Sequence, residues 1–495
     1  MEDKEIRKRV VKYIRKKIAG LPNPEMAITF ADVVIIDRSS RVGSRSDIRK
    51  DSKGLVTELT KSIRLNIPIV SANMADVTES AMAISLARKG GLGFIHQFMS
   101  IEKRIAQVKK VKRADNEVIE SPYRIKPSAT LKDALDFMAK CKTSGLLVVD
   151  DSDVIVGILT SRDVDFKKYQ PEERLRKILV TEVMTKKVIT APANISVKEA
   201  ITILEEHKIE KLPLVNEENK PVGLITAKDV VKKYQFPFAV RDRRGRLLVG
   251  ASVGLAVKFL EEVSALTEAG ADVILLDTAR ANAFRVAEAV AAIKKNFRNI
   301  QLIAGNVDNP EGARLLIDAG VDAVKVGIGP GSACKTRVET GVGCPQLSAV
   351  TECVAVAGEI PIIADGGISD GGEFAKAIVA GAKSVMLGSA LAGTDESPGR
   401  IYSDKKEKFK IYRGSASLDF QLDRLEDGSL DDVRAPEGES RRISYKGAVG
   451  PIIETFINNL CSSMSYADAM TIEELRGRKF RYQTRSGFEE GMPKK

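Results

Sequence analysis

Short apolar runs recur along the chain, each closing on small or polar residues and each followed by a helical stretch. The strand candidates are Ile67–Val70, Gly91–Ile95, Leu247–Ala251, Val273–Leu276, Gln301–Ala304, Ala323–Val326, Pro361–Ala364 and Ser384–Leu387. They number eight, and helical stretches such as Val257 to Glu268, Ala283 to Phe297 and Gly312 to Ala319 lie between them. Helices that end in Ala269-Gly270 and Ala319-Gly320 just before the next strand fit a left-handed C-terminal cap. Eight such units predict a (β/α)8 TIM barrel of the α/β class, with its active site on the loops that follow the strands.

The second and third strands lie too far apart for one connection, and residues 116–235 fill the interval. Within them Leu147-Val148-Val149 followed by Val156–Val164 recurs as Pro213-Leu214-Val215 followed by Val222–Val230. A self-similar pair indicates two copies of one small α/β module. The plan is therefore a first barrel part over residues 1–115, an insert over 116–235 and a second barrel part over 236–495. Ahead of the barrel, Ile6, Val10, Tyr13, Ile14 and Ile18 predict an amphipathic helix over residues 3–20, and residues 29–46 read as extended segments and turns.

Composition narrows the class. No run reaches the roughly 18 apolar residues of a membrane helix, and Met1-Glu2-Asp3-Lys4 does not open a signal peptide. Five cysteines without metal-ligand spacing fit a reducing cytoplasm. The net charge of +11 comes from Lys and Arg interspersed with Glu and Asp, without an aromatic stripe. That pattern argues against nucleic acid and suits phosphorylated small molecules. With only His96 and His207, proton transfer falls to Thr, Arg, Glu or Asp.

The chemistry concentrates in Val324–Arg337, where Gly327, Gly329 and Gly331 precede Cys334 and Thr336. Glycines there let backbone approach an anion or ion closely. A second glycine-rich segment, Thr340-Gly341-Val342-Gly343-Cys344-Pro345-Gln346, follows. The whole run resembles the catalytic loop shared by IMP dehydrogenases and GMP reductases, with Lys335 where the family usually has threonine. The resemblance implies that Cys334 attacks purine C2 and that Thr336 works on water or ammonia. It also makes the carbonyls of Gly329, Gly331 and Cys334 ligands of potassium. The insert resembles a tandem cystathionine-β-synthase-type (CBS) pair, whose T-x-x-D residues Thr160, Asp163, Thr226 and Asp229 would touch a regulatory purine nucleotide.

Asp365-Gly366-Gly367 after the seventh strand and Gly388-Ser389 after the eighth stand where this fold binds phosphate. In the resemblance Ser332 and Tyr412-Arg413-Gly414 complete the phosphate grip, Asp365 holds the ribose hydroxyls, and Ser71 lies against the nucleotide. Asp277, Thr278 and Ala279 would meet the nicotinamide ribose, with Asn306 and Lys325 near the reacting centre and Arg434 also on the cofactor side. No G-x-G-x-x-G opens a βαβ unit, so a dinucleotide would lie across barrel loops.

The direction of reaction is read from a flap over about residues 413–447. Dehydrogenases of the family carry an adjacent Arg-Tyr pair there to activate water, whereas here Arg424 precedes Leu425. The ending Asp432-Val433-Arg434-Ala435-Pro436-Glu437-Gly438 resembles a reductase flap and puts Glu437 beside Thr336. The resemblance thus implies a GMP reductase converting GMP and NADPH (or NADH) to IMP and ammonia, as a cytoplasmic homotetramer or octamer. IMP dehydrogenase with NAD+ is the alternative, and a non-catalytic nucleotide-sensing scaffold is the alternative of another class.

Overall fold

Eight parallel strands, nearly all of their residues buried, close on themselves: β1 (Ile69–Ser71), β2 (Leu92–Ile95), β3 (Gly250–Val253), β4 (Val273–Asp277), β5 (Gln301–Val307), β6 (Ala323–Val326), β7 (Ile362–Asp365) and β8 (Ser384–Leu387). A computed structural model describes residues 26–492 apart from 51–52, 116–118, 120–121, 142, 228–230, 232–234, 405–406 and 423–434. Closure is made where β8 pairs with β1, Val385 opposite Ile69 and Leu387 opposite Ser71. The expected strands appear in number and order, but the third begins later than the apolar run suggested. Gly250 lies opposite Phe94 of β2, and a side chain there would collide with the phenyl ring. Ahead of it Leu247 and Leu248 form a buried lead-in, Leu247 bridging Arg241 and the Leu248 amide donating to the Val240 carbonyl at 3.1 Å.

A helix follows each strand: Ser80–Arg88, Ile101–Ala114, Phe259–Glu268, Phe284–Asn296, Pro310–Asp318, Gln346–Ala357, Gly371–Val379 and Val449–Tyr466. Asn309 and Asp370 cap two of them by accepting from the amides of Gly312 and Glu373, and Pro310 supplies the first turn after Asn309. Gly270, Gly320 and Gly381 end their helices at φ of 103°, 101° and 105°, the left-handed region that the Ala-Gly pattern anticipated. The strand Val33–Ile35, which follows a short turn of helix at Phe30–Asp32, pairs antiparallel with Phe480–Tyr482, so the two ends of the described chain are zipped together. The helix expected over 3–20 lies outside the described residues. Among the described residues no helix is long and apolar enough to cross a membrane.

The insert holds two small sheets of like plan. Arg124–Ile125 runs parallel to Gly145–Val149, which pairs antiparallel with Ile155–Thr160; Ala191–Pro192, Lys211–Val215 and Pro221–Thr226 repeat that order and sense. Each module has its own core, and Leu147, Val149, Ile155, Ile158 and Leu224 form a third cluster that joins them. Where the insert leaves the barrel, buried Lys112 donates to Asp272 at 2.6 Å, Asp242 at 3.1 Å and the Leu247 carbonyl at 2.9 Å. Arg241 adds a bond to the Asp115 carbonyl at 2.8 Å. The chain's exit and return are thus stitched into one polar knot on the barrel.

Candidate active site

β6 carries a lysine among residues that are all buried, and the strand ends in glycines for steric reasons. Gly327 has φ 147°, and a Cβ there would strike the Asp365 carbonyl; Gly329 has φ 84° and packs on the Arg337 stem. The loop then exposes Cys334 at its tip, where the thiol donates to Thr336 Oγ1 at 3.3 Å. Thr336 in turn donates to Glu437 Oε2 at 2.7 Å. Sulfur, hydroxyl and carboxylate thus form one proton path.

Glu437 reaches that position because the end of the flap pairs with the cysteine loop. The Lys335 amide donates to the Glu437 carbonyl at 2.7 Å, and the Glu439 amide donates to the Ala333 carbonyl at 3.0 Å. Gly438 bridges both Cys334 and Ser417, and a Cβ on it would stand 2.9 Å from the Ser417 nitrogen. The Lys335 ammonium lies 3.6 Å from Glu439, so the residue that departs from the family pattern is tied to the same strand.

Below the thiol lies a charged floor. Lys325 Nζ is 2.5 Å from Asp365 Oδ2 and 3.0 Å from Asp277 Oδ1, and it also contacts Asn306 Oδ1. Burial disfavours the ammonium, but the two carboxylates more than offset that and hold Lys325 protonated, well above the usual lysine range. Asn306 donates to Asp365 Oδ2 at 2.9 Å and to the Gly327 carbonyl at 2.7 Å, while Gln97 reaches Asp277 at 3.4 Å. These groups line a cavity of about 510 Å³ together with Thr278, Ala279, Cys334, Thr336, Tyr412 and Glu437.

Ser332, Tyr412 and Gly388 meet at the rim. Tyr412 is buried, and burial pushes its phenol up despite a hydrogen bond with Ser332. A Cβ built on Gly388 would lie 3.3 Å from the Tyr412 hydroxyl, and one on Gly366 would lie 3.2 Å from the Gly331 nitrogen. Gly366 and Gly367 take φ of 86° and 70°. Arg413 is held by Asp76 through its amide at 3.0 Å and its guanidinium at 3.1 Å. Gly414 faces the Ala333 carbonyl, and Ser389 offers its own carbonyl to Lys446 at 2.7 Å.

Not every expected residue faces the cavity. Ser71 is fully buried and accepts from Thr78 at 2.8 Å; Ala72, Asn73 and Met74 line the cavity in its place. The pleat at the end of β1 turns Ser71 into the barrel wall. Gly329 accepts from Arg337 at 3.2 Å and Gly331 from the Cys334 amide at 2.9 Å, leaving each carbonyl one lone pair for a cation. In the insert, Thr160 donates twice to Asp163 Oδ2 at 2.7 Å, and Thr185 donates to Oδ1 at 3.2 Å. That pair is a helix cap as it stands. Thr226 ends the matching strand of the second module, while Asp229 and Arg434 lie outside the described residues. Sequence reasoning passed over Asp76, which fixes Arg413, and Gln346, which donates to the carbonyls of Val326 and Asp365 at 2.9 and 3.2 Å. For Gln346 the signal was its place in the second glycine-rich run.

Burial separates the cysteines chemically. It pushes the thiols of Cys344 and Cys461 up to about 11 and that of Cys353 up to about 12. Thiolate is the reactive form. Limiting iodoacetamide at neutral pH is therefore expected to label the exposed Cys334 first, as read by peptide mass spectrometry; equal labelling of Cys353 would contradict this site.

A family model described as the IMP dehydrogenase / GMP reductase domain matches residues 27–494. The inosine-5′-monophosphate dehydrogenase of Aquifex aeolicus is 46% identical over 471 residues, covering 94% of this chain and 94% of that one. The inosine-5′-monophosphate dehydrogenase of Nitrosopumilus maritimus is 44% identical over 476 residues, covering 94% of this chain and 98% of that one. Among solved structures, a GMP reductase variant from Trypanosoma brucei in complex with guanosine 5′-monophosphate superposes with a TM-score of 0.88 at 37% identity, covering 96% of this chain and 99% of that one.

Proposed function

The chain belongs to the IMP dehydrogenase / GMP reductase family of oxidoreductases, and we propose that its site works on a purine 5′-monophosphate through a covalent bond between Cys334 Sγ and C2 of the base. The observation that carries this reading is the path from Cys334 to Thr336 to Glu437, 3.3 and 2.7 Å long, above a floor where Asp277 and Asp365 share Lys325. Cys334 adds to C2 as the thiolate, its proton released to solvent, so that Thr336 and Glu437 remain free for the later proton step. A nicotinamide cofactor against Asp277, Thr278 and Ala279 exchanges a hydride with that carbon. Asp365 spends Oδ2 on Lys325 and Asn306, and its Oδ1 serves a ribose hydroxyl. Ser332, Tyr412, Gly366, Gly367, Gly388 and Ser389 receive the phosphate. Potassium on the carbonyls of Gly329, Gly331 and Cys334 would stiffen the loop, and the two insert modules would act as a CBS pair for a regulatory nucleotide in a homotetramer.

Oxidation of IMP with NAD+ is the first reading, supported by the dehydrogenase relatives that match over more than nine-tenths of their length. Hydride leaves C2, water adds there, and the C–S bond breaks to release xanthosine monophosphate, with the water proton passing through Thr336 to Glu437. Reduction of GMP with NADPH, the direction implied by the flap, is the second. It is favoured by one observation, the absence of an adjacent Arg-Tyr pair around Arg424-Leu425. In that direction ammonia leaves C2, hydride arrives, and the thiolate departs to give IMP.

Paired assays of the full-length protein separate them. IMP with NAD+ is expected to yield NADH and xanthosine monophosphate. Loss of NADPH that depends on GMP, with ammonia released and no xanthosine monophosphate from IMP, selects the reductase. Turnover of neither nucleotide returns the chain to the scaffold alternative.

A further inference from the structure

Two cations with no role assigned above stand beside the groups given to the nucleotide phosphate. Arg441, on the strand Ser440–Ser444, donates from Nη2 to Ser332 Oγ at 2.8 Å, and its guanidinium lies over the Tyr412 ring, 5.6 Å from the centroid. Lys446 donates to the carbonyls of Ser389 at 2.7 Å and Ala390 at 3.0 Å. These contacts bring both charges to the junction of the cysteine loop, the eighth-strand loop and Tyr412.

Two neighbouring cations are paired with carboxylates. Arg442 has Asp404 at 3.3 Å and Lys335 has Glu439 at 3.6 Å, whereas among the described residues no carboxylate lies within ion-pair distance of Arg441 or Lys446. Desolvation of the Lys446 ammonium, and then the nearby Arg441 charge, lower its pKa to about 8. The rest of the Lys446 side chain stays open to water, which screens this effect. Two like charges held together over tyrosine and serine hydroxyls are relieved by an anion between them. A bare hydroxyl such as a nucleoside 5′-OH brings no such relief.

We infer that Arg441 and Lys446 clamp the 5′-phosphate dianion of the nucleotide, so that this chain selects a monophosphate over the nucleoside by charge as well as by backbone amides. The planar guanidinium can meet two phosphate oxygens while it keeps its stack on Tyr412. The clamp rests on the purine 5′-monophosphate reading above.

Calorimetric titration of full-length wild type, R441Q, R441K and K446M with IMP, GMP and inosine tests it, alongside steady-state kinetics. R441Q is expected to raise Kd and KM for the nucleotide by about 10- to 100-fold, the range of a lost charge-assisted pair, with kcat and inosine affinity little changed. R441K should recover part of the loss, and K446M should show a smaller loss in the same sense. Both must melt as cooperatively as wild type. Nucleotide binding by R441Q as tight as wild type overturns the clamp, as does equal weakening of IMP and inosine, which would mark Arg441 as a brace for Ser332. Failure of the wild type to bind any purine monophosphate overturns the functional reading together with the clamp.

Discussion

Cys334→Ser is expected to abolish turnover of either nucleotide, by about 10³-fold or more, while the Kd for the nucleotide stays close to that of wild type. The two halves of this expectation come from different parts of the structure. The groups proposed for ribose and phosphate lie after β7 and β8, on the Tyr412 strand and at Ser332, and none of them is the partner in the sulfur's described side-chain hydrogen bond. The sulfur itself makes one described side-chain contact, to Thr336. A serine hydroxyl fits that contact but ionises far less readily than a thiol, so the adduct at C2 does not form. The measurement is steady-state rate against calorimetric Kd. Turnover within tenfold of wild type would remove the covalent route and leave the cavity as a binding site only.

How much of this is legible in the sequence depends on the range over which each feature is decided. The barrel strands are local patterns, and all eight appear in the expected order. Strand β3 starts later than its apolar run because Leu247 and Leu248 pair with Arg241 and Val240, a contact that a local pattern does not show. Ser71 stays out of the cavity lining for a related reason, since sequence places a residue after a strand but not on one side of its pleat. The Thr336–Glu437 contact, between residues 101 positions apart, was anticipated only because both belong to recognisable motifs. Arg441 and Lys446 have no such handle among 78 lysines and arginines; the pairing of Ser440–Ser444 with the Tyr412 strand sets Arg441 apart, and the contacts to Ser389 and Ala390 set Lys446 apart. Local capping also offers a second account of a familiar pattern: the first T-x-x-D ties Thr160 to Asp163, which explains its residues without any ligand.

Glu437→Gln is expected to split the reaction in two. The variant keeps the shape of the side chain and the backbone bonds from Lys335 and to Ala416, at 2.7 and 3.2 Å, so the cysteine loop should keep its pairing. What it loses is a carboxylate able to take the proton that Thr336 hands over. In the IMP direction the hydride step precedes the entry of water, so rapid mixing with NAD+ should still give a burst of about one NADH per site. The following steady rate should fall by about 10²- to 10⁴-fold, the usual contribution of a placed base. That gap is informative because the described flap residues offer no other carboxylate bonded to Thr336. In the GMP direction the same change should instead slow ammonia release, before any hydride moves, and the burst of nicotinamide oxidation should disappear. The variant therefore reports both whether Glu437 handles the proton and on which side of hydride transfer the proton step falls. An unchanged steady rate in both directions would show that another group holds the base, with Arg424 and Arg434 in the undescribed part of the flap as the next residues to replace.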